Sequence, residues 1–120
     1  MADRVLTWYV PTPIEVGESV RETYELDDDY VPIRVWLHAG RAPTGTNIVI
    51  DINAEYEGTK ASIFTAPRPG VQTGSQFGER DYFKDPRLLK KGAYITLDID
   101  QIGSAEGGKA LTIQLELDRD

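Results

Sequence analysis

Between Gly92 and Asp118 the chain alternates apolar and polar side chains twice over. Ala93, Ile95, Leu97 and Ile99 interleave with Tyr94, Thr96, Asp98 and Asp100; after a Gly-rich break, Leu111, Ile113, Leu115 and Leu117 interleave with Thr112, Gln114, Glu116 and Asp118. A period of two with a single apolar face does not suit a helix and is the pattern of an antiparallel sheet buried on one side. The spacing predicts a hairpin with Ile99 opposite Leu111. That register sets Asp98 against Thr112, Thr96 against Gln114 and Tyr94 against Glu116, and keeps like charges apart.

The same pattern recurs upstream. Val5 to Val10 (VLTWYV) is strand-prone, with Trp8 and Tyr9 on opposite sides, and Pro11-Thr12-Pro13 rules out a central strand there. Residues 1–13 therefore read as an N-terminal arm or edge strand, and 14–120 as a single β-sandwich domain. Glu18 to Leu26 is a weaker strand, with Val20, Glu22, Tyr24 and Leu26 on one side. Tyr30 to His38 alternates again, Val31, Ile33, Val35 and Leu37 facing the core and Tyr30, Pro32, Arg34, Trp36 and His38 facing away. Gly40 to Gly45 is turn chemistry, Gly45 supplying a tolerated positive φ. Asn47 to Asn53 directs Ile48, Ile50 and Ile52 inward, and a break at Glu57-Gly58-Thr59 leads to a pairing strand over Lys60 to Ala66.

Pro67 to Asp85 is long and rich in Gly and Pro, and a strand is expected within it around Gln76 to Lys84. Asp85-Pro86 has the form of an N-cap followed by Pro at the first helical position, giving one short helical turn near residues 86–91 that ends at Gly92. Leu88 and Leu89 would plug one end of the core. The count is about eight short strands without an amphipathic helix, an all-β antiparallel sandwich, jelly roll or barrel.

Composition narrows the function classes. With 120 residues one domain can bury a core, and no cysteine is present to form disulfides or thiolate metal sites. A net charge of −7 disfavours nucleic acid, whose binding draws on cationic surface. No apolar run reaches membrane-spanning length and MADRVLTWYV lacks a secretory h-region, so a soluble chain without a membrane partner is expected. Charge is uneven: Glu15 to Asp29 holds seven acids against Arg21, and Lys60 to Lys91 holds seven bases against three acids. Such poles are either solvated surface or complementary docking patches on neighbouring copies.

Gly103 to Lys109 (GSAEGGK) matches the first part of a phosphate-binding loop. Ala110 replaces the hydroxyl residue, however, and a strand follows where a helix N-terminus is needed, so the stretch reads as a hairpin loop. Asp98, Asp100 and Gly103 resemble the start of a calcium loop whose twelfth position is Lys109 instead of glutamate. Calcium would need Asp51, Asn53, Asp98 or Asp100 on adjoining outward faces; solvated sheet polarity is the plainer reading, and no metal or cofactor is expected. His38 is the only histidine and no nucleophile elbow is present; Glu55 and Glu57 sit in a polar turn, so no enzyme is expected. Outward aromatics leave an interface anchor, a sugar-stacking platform, or a Trp36 covered within the monomer. The interface candidates are Trp8, Tyr9, Tyr30, Arg34, Trp36, Arg68, Phe77, Arg80, Tyr82 and Arg87.

APTGTNIVIDIN from Ala42, then KASIF, KKGAYITLDIDQIGS and GGKALTIQLEL, with WYVP and YVPIRVWLHAGRAPTG earlier, resembles the small β-sandwich modules of tailed-bacteriophage virion proteins. The resemblance covers most of the chain and rests on turns and alternating strands, with no catalytic signature. It departs in the charged stretch Arg68 to Lys91. It implies a non-enzymatic virion structural protein, assembled in the host cytoplasm: a capsid decoration (cement) protein or a head or tail accessory. Such a protein would act through contacts with phage capsid or tail proteins and be a homo-oligomer, a trimer being the favoured form. The alternative is a carbohydrate-binding, receptor-binding module of a tail or fibre, with a glycan as ligand.

Overall fold

The computed structural model describes residues 2–120 and contains nine strands. They are β1 (Arg4–Val10), β2 (Gly17–Glu25), β3 (Tyr30–Arg41), β4 (Ile48–Tyr56), β5 (Thr59–Ser62), β6 (Gly70–Val71), β7 (Phe77–Arg80), β8 (Tyr94–Gln101) and β9 (Lys109–Arg119). One sheet, here sheet A, has the order β1-β9-β3-β7; the other, sheet B, has the order β2-β8-β4-β5, with β6 also on β4. All pairings are antiparallel.

The pairings describe one long hairpin that has been rolled up. β1 pairs with β9, β2 with β8, β3 with β7, and β4 with β5 and β6, so the first half of the chain runs against the second. The pivot is Glu57-Gly58, a two-residue turn with φ of 51° and 80°, where only a left-handed backbone matches the twist of the flanking strands. Two further pairings, β9 with β3 and β8 with β4, close the roll into two sheets. This is the strand order of a jelly roll, with β5 and β6 sharing one strand position on either side of the excursion 63–69.

That topology overturns the expected C-terminal hairpin. β8 and β9 lie in different sheets, so Ile99 is not paired with Leu111, and Gly103 to Lys109 belongs to a cross-sheet connection and is not a hairpin loop. Alternation specifies which face a side chain takes, not which strand lies alongside. The faces themselves are as expected: Ile95, Leu97 and Ile99 from β8, Leu111 to Leu117 from β9, and Ile48, Ile50 and Ile52 from β4 meet in one buried core.

Three other expectations change. Residues 86–91 form no helical turn; Tyr30 and Leu89 exchange backbone hydrogen bonds at 2.9 and 2.7 Å, which holds the segment extended and places Leu89 in the core. In β3 a bulge at Ile33, where Pro32 and Arg34 face successive residues of β9, inverts the parity. Tyr30 and Pro32 therefore turn inward, and the expected core residues Val31 and Ile33 are only half-buried. In β2, Ser19 (φ 49°) and Arg21 (φ 61°) accompany two register shifts, and Glu22, expected beside Val20 and Tyr24, is exposed.

Side chains and glycines seal both flanks of the roll. Where β1 lies over β2, the Trp8 indole N–H donates to the Glu22 carbonyl at 2.8 Å and the Tyr24 hydroxyl donates to the Thr7 carbonyl at 2.5 Å. The two rings meet edge to face at 5.2 Å. On the opposite flank β6 and β7 approach backbone to backbone: a Cβ on Gly78 would lie 1.9 Å from the Gly70 oxygen, and one on Gly70 would lie 1.9 Å from the Ile48 oxygen. Only glycine fits either position.

Candidate functional site

β1 is the edge strand of sheet A, not a free arm, and its outward residues begin a continuous open face. Its cross-strand rows follow from the register. One row runs Tyr9, Thr112, His38, Phe77; the next runs Thr7, Gln114, Trp36, Glu79; the third runs Val5, Glu116, Arg34. Rows of this kind arise because alternate residues of each strand share a side, so the core-facing leucines and isoleucines of β9 force its threonine, glutamine and glutamate outward.

The rings on this face cluster at its β3–β7 side. Trp36 and His38 lie nearly parallel with centroids 6.0 Å apart, and Phe77 sits 6.1 Å from Trp36 and 5.0 Å from His38. Trp36 and His38 are half-buried by one another and by their neighbours, whereas Phe77 (59% exposed), Tyr9 (51%) and Val5 (45%) stand open. Below the rings Arg34 is clamped by Glu116 at 2.7 Å and Glu79 at 3.1 Å, and these carboxylates, Glu116 first, hold its guanidinium more firmly protonated. A fixed cation, an amide at Gln114 and two hydroxyls therefore surround an apolar strip. Such a face binds by burying ring area and matching a few polar groups.

Four of the sequence candidates, Tyr9, Arg34, Trp36 and Phe77, thus converge. Trp8 and Tyr30 do not: both are fully buried, Trp8 between β1 and β2 and Tyr30 beneath the bulge of β3, and neither can anchor a partner. The Tyr30 hydroxyl instead donates to Asp27 at 2.7 Å, with Arg4 on the same oxygen at 2.6 Å, and this pair of donors, Tyr30 foremost, keeps Asp27 below the usual carboxylate range. Arg80 turns between the sheets, donating to the carbonyls of Thr65 and Pro67, with its guanidinium 5.9 Å from the Phe64 ring and 4.7 Å from that of Tyr82. Arg87 caps the Pro32 carbonyl and lies 5.5 Å from the Phe83 ring. Both arginines tie the irregular 63–91 stretch to the roll, and Tyr82 remains exposed beside them. Val5 and the polar residues of β9 were missed as site residues because nothing in the sequence says which strands lie beside β3.

The outward face of sheet B is chemically different. Asp51 and Asp98 are cross-strand partners, so the outward acids do adjoin, but with Asn53 and Thr96 they are buried, not solvated. Asp51 accepts from Ser62 at 2.5 Å and pairs with Arg68 at 3.3 Å, which places Arg68 on this face, away from the aromatic strip. Asp98 accepts from the Asn53 amide and from the Ser19 backbone N–H, both at 2.8 Å. Asp100, bulged beside them, is pushed above its usual value by desolvation first and then by the charges of Asp51 and Asp98. Among the described residues no three histidine or acidic side chains are arranged to hold a metal ion.

Two clefts open elsewhere. One, of about 200 Å³, has an apolar floor of Pro32, Ala54, Ile63 and Leu88 with Lys84 and Arg87 at its rim; the other, of about 270 Å³, is polar and lies between Asn47–Val49 and Pro67–Gln72. Comparison with protein-family models, with curated proteins and with solved structures returns no match.

Proposed function

We propose that this chain is a non-enzymatic docking module, a structural component of a tailed-phage virion of the capsid-decoration or head–tail accessory kind, whose contact face is the outer side of sheet A. The observation that carries the reading is the coincidence on one open sheet face of Tyr9, Trp36, His38 and Phe77 with a clamped Arg34. Aromatic residues and arginine with a fixed geometry are the groups that dominate protein–protein binding energy. The jelly-roll strand order is used in viral shells and in lectins alike, so fold by itself supports neither over the other.

The carbohydrate alternative keeps one specific support: the Thr112 hydroxyl lies between Tyr9 and His38 and the Gln114 amide beside Trp36, a composition that also suits a sugar. The experiment compares wild type with a Trp36→Ala/Phe77→Ser double variant in gradient-purified phage particles assembled in their presence, and in parallel on a glycan array. Wild type found in many copies per particle, with the variant folded but absent, is the expected result. A chain that never enters particles would contradict the proposal, and saturable glycan binding lost in the variant would transfer it to the lectin reading.

A further inference from the structure

The fold gathers Glu15, Glu18, Glu22 and Glu25, with Arg21 among them, on one flank of the roll and sends Lys60, Lys84 and Arg87 to the opposite flank, while Lys90 and Lys91 stay beside the acidic Asp27–Asp29 turn. β2 is one edge of sheet B, and Glu15, Glu18, Glu22 and Glu25, on it and its lead-in, are exposed without a basic partner among the described residues. The neighbouring acids Asp27 and Asp28 are already paired, with Arg4 and Arg119, and Asp29 accepts the Lys91 backbone N–H, so that turn carries little free charge. β5 is the other edge of the same sheet. There Lys60 and Lys84 form no ion pair among the described residues, Glu55 lies opposite Lys60 in the β4–β5 register, and Lys84 and Arg87 line the apolar cleft over Pro32, Ala54, Ile63 and Leu88, with Asp85 the one acid in its wall.

The acidic flank also carries an apolar knob. Val16 is 61% exposed and stands between Glu15 and Glu18. A valine side chain flanked by two carboxylates has the shape and charge to enter an apolar cleft of about 200 Å³ flanked by two cations. We infer that the occupant of that cleft is the Glu15–Glu22 segment of a second copy of this chain, which makes a head-to-tail contact between the β2 flank of one copy and the β5 flank of the next. The two surfaces are different patches on opposite sides of one molecule, so the contact is heterologous and generates rings or open rows, not two-fold dimers. It leaves the aromatic face of sheet A free. The inference rests on the reading of the chain as a docking module used in many copies, and adds how those copies adjoin.

Two charge-reversed variants test it: Glu18→Lys/Glu22→Lys and Lys60→Glu/Lys84→Glu. All four side chains are exposed, so matching circular dichroism is expected for both, with a slightly lower melting midpoint for Lys60→Glu/Lys84→Glu, where Glu55 lies opposite residue 60. Sedimentation of wild type should show association that weakens at least about tenfold when salt rises from about 0.01 to 1 M, where the screening length falls from roughly 30 to 3 Å. Each variant alone should stay monomeric, and an equimolar mixture should recover association, because the reversed flank of one variant then meets the reversed flank of the other and the two native flanks meet each other. Monomeric wild type at low salt, variants that associate like wild type, or a mixture that stays monomeric would each overturn the inference. Association lost in Trp36→Ala yet untouched by charge reversal would also overturn it while leaving the sheet A docking face standing. Failure of wild type to enter phage particles would instead remove the proposed function and leave the sedimentation result as it is.

Discussion

Replacing Trp8 and replacing Trp36 should have opposite consequences, although the two tryptophans look alike in the sequence. Trp8 is fully buried, closes the flank between β1 and β2, and donates to the Glu22 carbonyl at 2.8 Å. Trp8→Ala opens a core cavity of indole size, a loss of about 3–5 kcal/mol, and leaves that carbonyl to find water. Against a total stability of about 5–15 kcal/mol this is a large fraction. At roughly 4 °C per kcal/mol for a domain of this size, a loss of about 4 kcal/mol lowers the melting midpoint by about 16 °C. Trp8→Phe keeps an aromatic ring against Tyr24 and removes the N–H and part of the volume, and should cost about 1–2 kcal/mol. Trp36→Ala removes a ring from an outer sheet face and should cost under about 1 kcal/mol. Urea unfolding followed by circular dichroism measures all three. Equal costs for Trp8→Ala and Trp36→Ala, or the reverse order, would refute the assignment of one to the core and the other to the contact face.

Other outcomes follow from single positions. Gly78→Ala drives a Cβ to 1.9 Å from the Gly70 oxygen and should cost about 2–3 kcal/mol, visible as a lower urea midpoint; an unchanged midpoint would mean that the β6–β7 flank is loose. Thr96 carries a buried hydroxyl oxygen without a hydrogen-bond partner, so Thr96→Val should be neutral or raise stability by up to about 1 kcal/mol, and a clear loss would show that the hydroxyl is bonded in solution. Asp100 has its folded pKa raised, so its ionisation opposes folding at neutral pH and this cost disappears as pH falls below the unfolded value of 3.8. Asp100→Asn should therefore raise the unfolding midpoint at pH 7 and leave it unchanged near pH 3; a stabilisation that persists at low pH would contradict the electrostatic cause.

The inward faces of β4, β8 and β9 were legible residue by residue, because a period of two allows a single answer once one side is apolar. Of the strand partners only the β4–β5 hairpin was legible, because a two-residue turn joins the two strands. The other pairings of the jelly roll join strands far apart in sequence, and nothing in ITLDID or ALTIQL records that distance. The bulges also escaped: an extra residue at Ile33 inverts which side of β3 is buried, and Tyr30, read as outward, ends in the core. Alternation puts Trp8 opposite Tyr9, but sidedness alone does not say which of the two faces in, and here it is Trp8. Of the docking face, Trp36, Arg34, Tyr9 and Phe77 were named from residue type, yet that they share one surface depends on β1, β9, β3 and β7 lying side by side. The Asp85-Pro86 signal failed for a related reason: the Tyr30–Leu89 backbone pair and the burial of Leu89 outweigh a local helix-start preference.

Hydroxyl-radical footprinting of the chain, free and attached to phage particles, tests the contact face most directly. Tyr9, Trp36 and Phe77 should lose reactivity on attachment, while Tyr56 and Tyr94, exposed on strands of sheet B, should keep theirs. Unchanged reactivity at the first three residues, or protection confined to Tyr56 and Tyr94, would contradict the account.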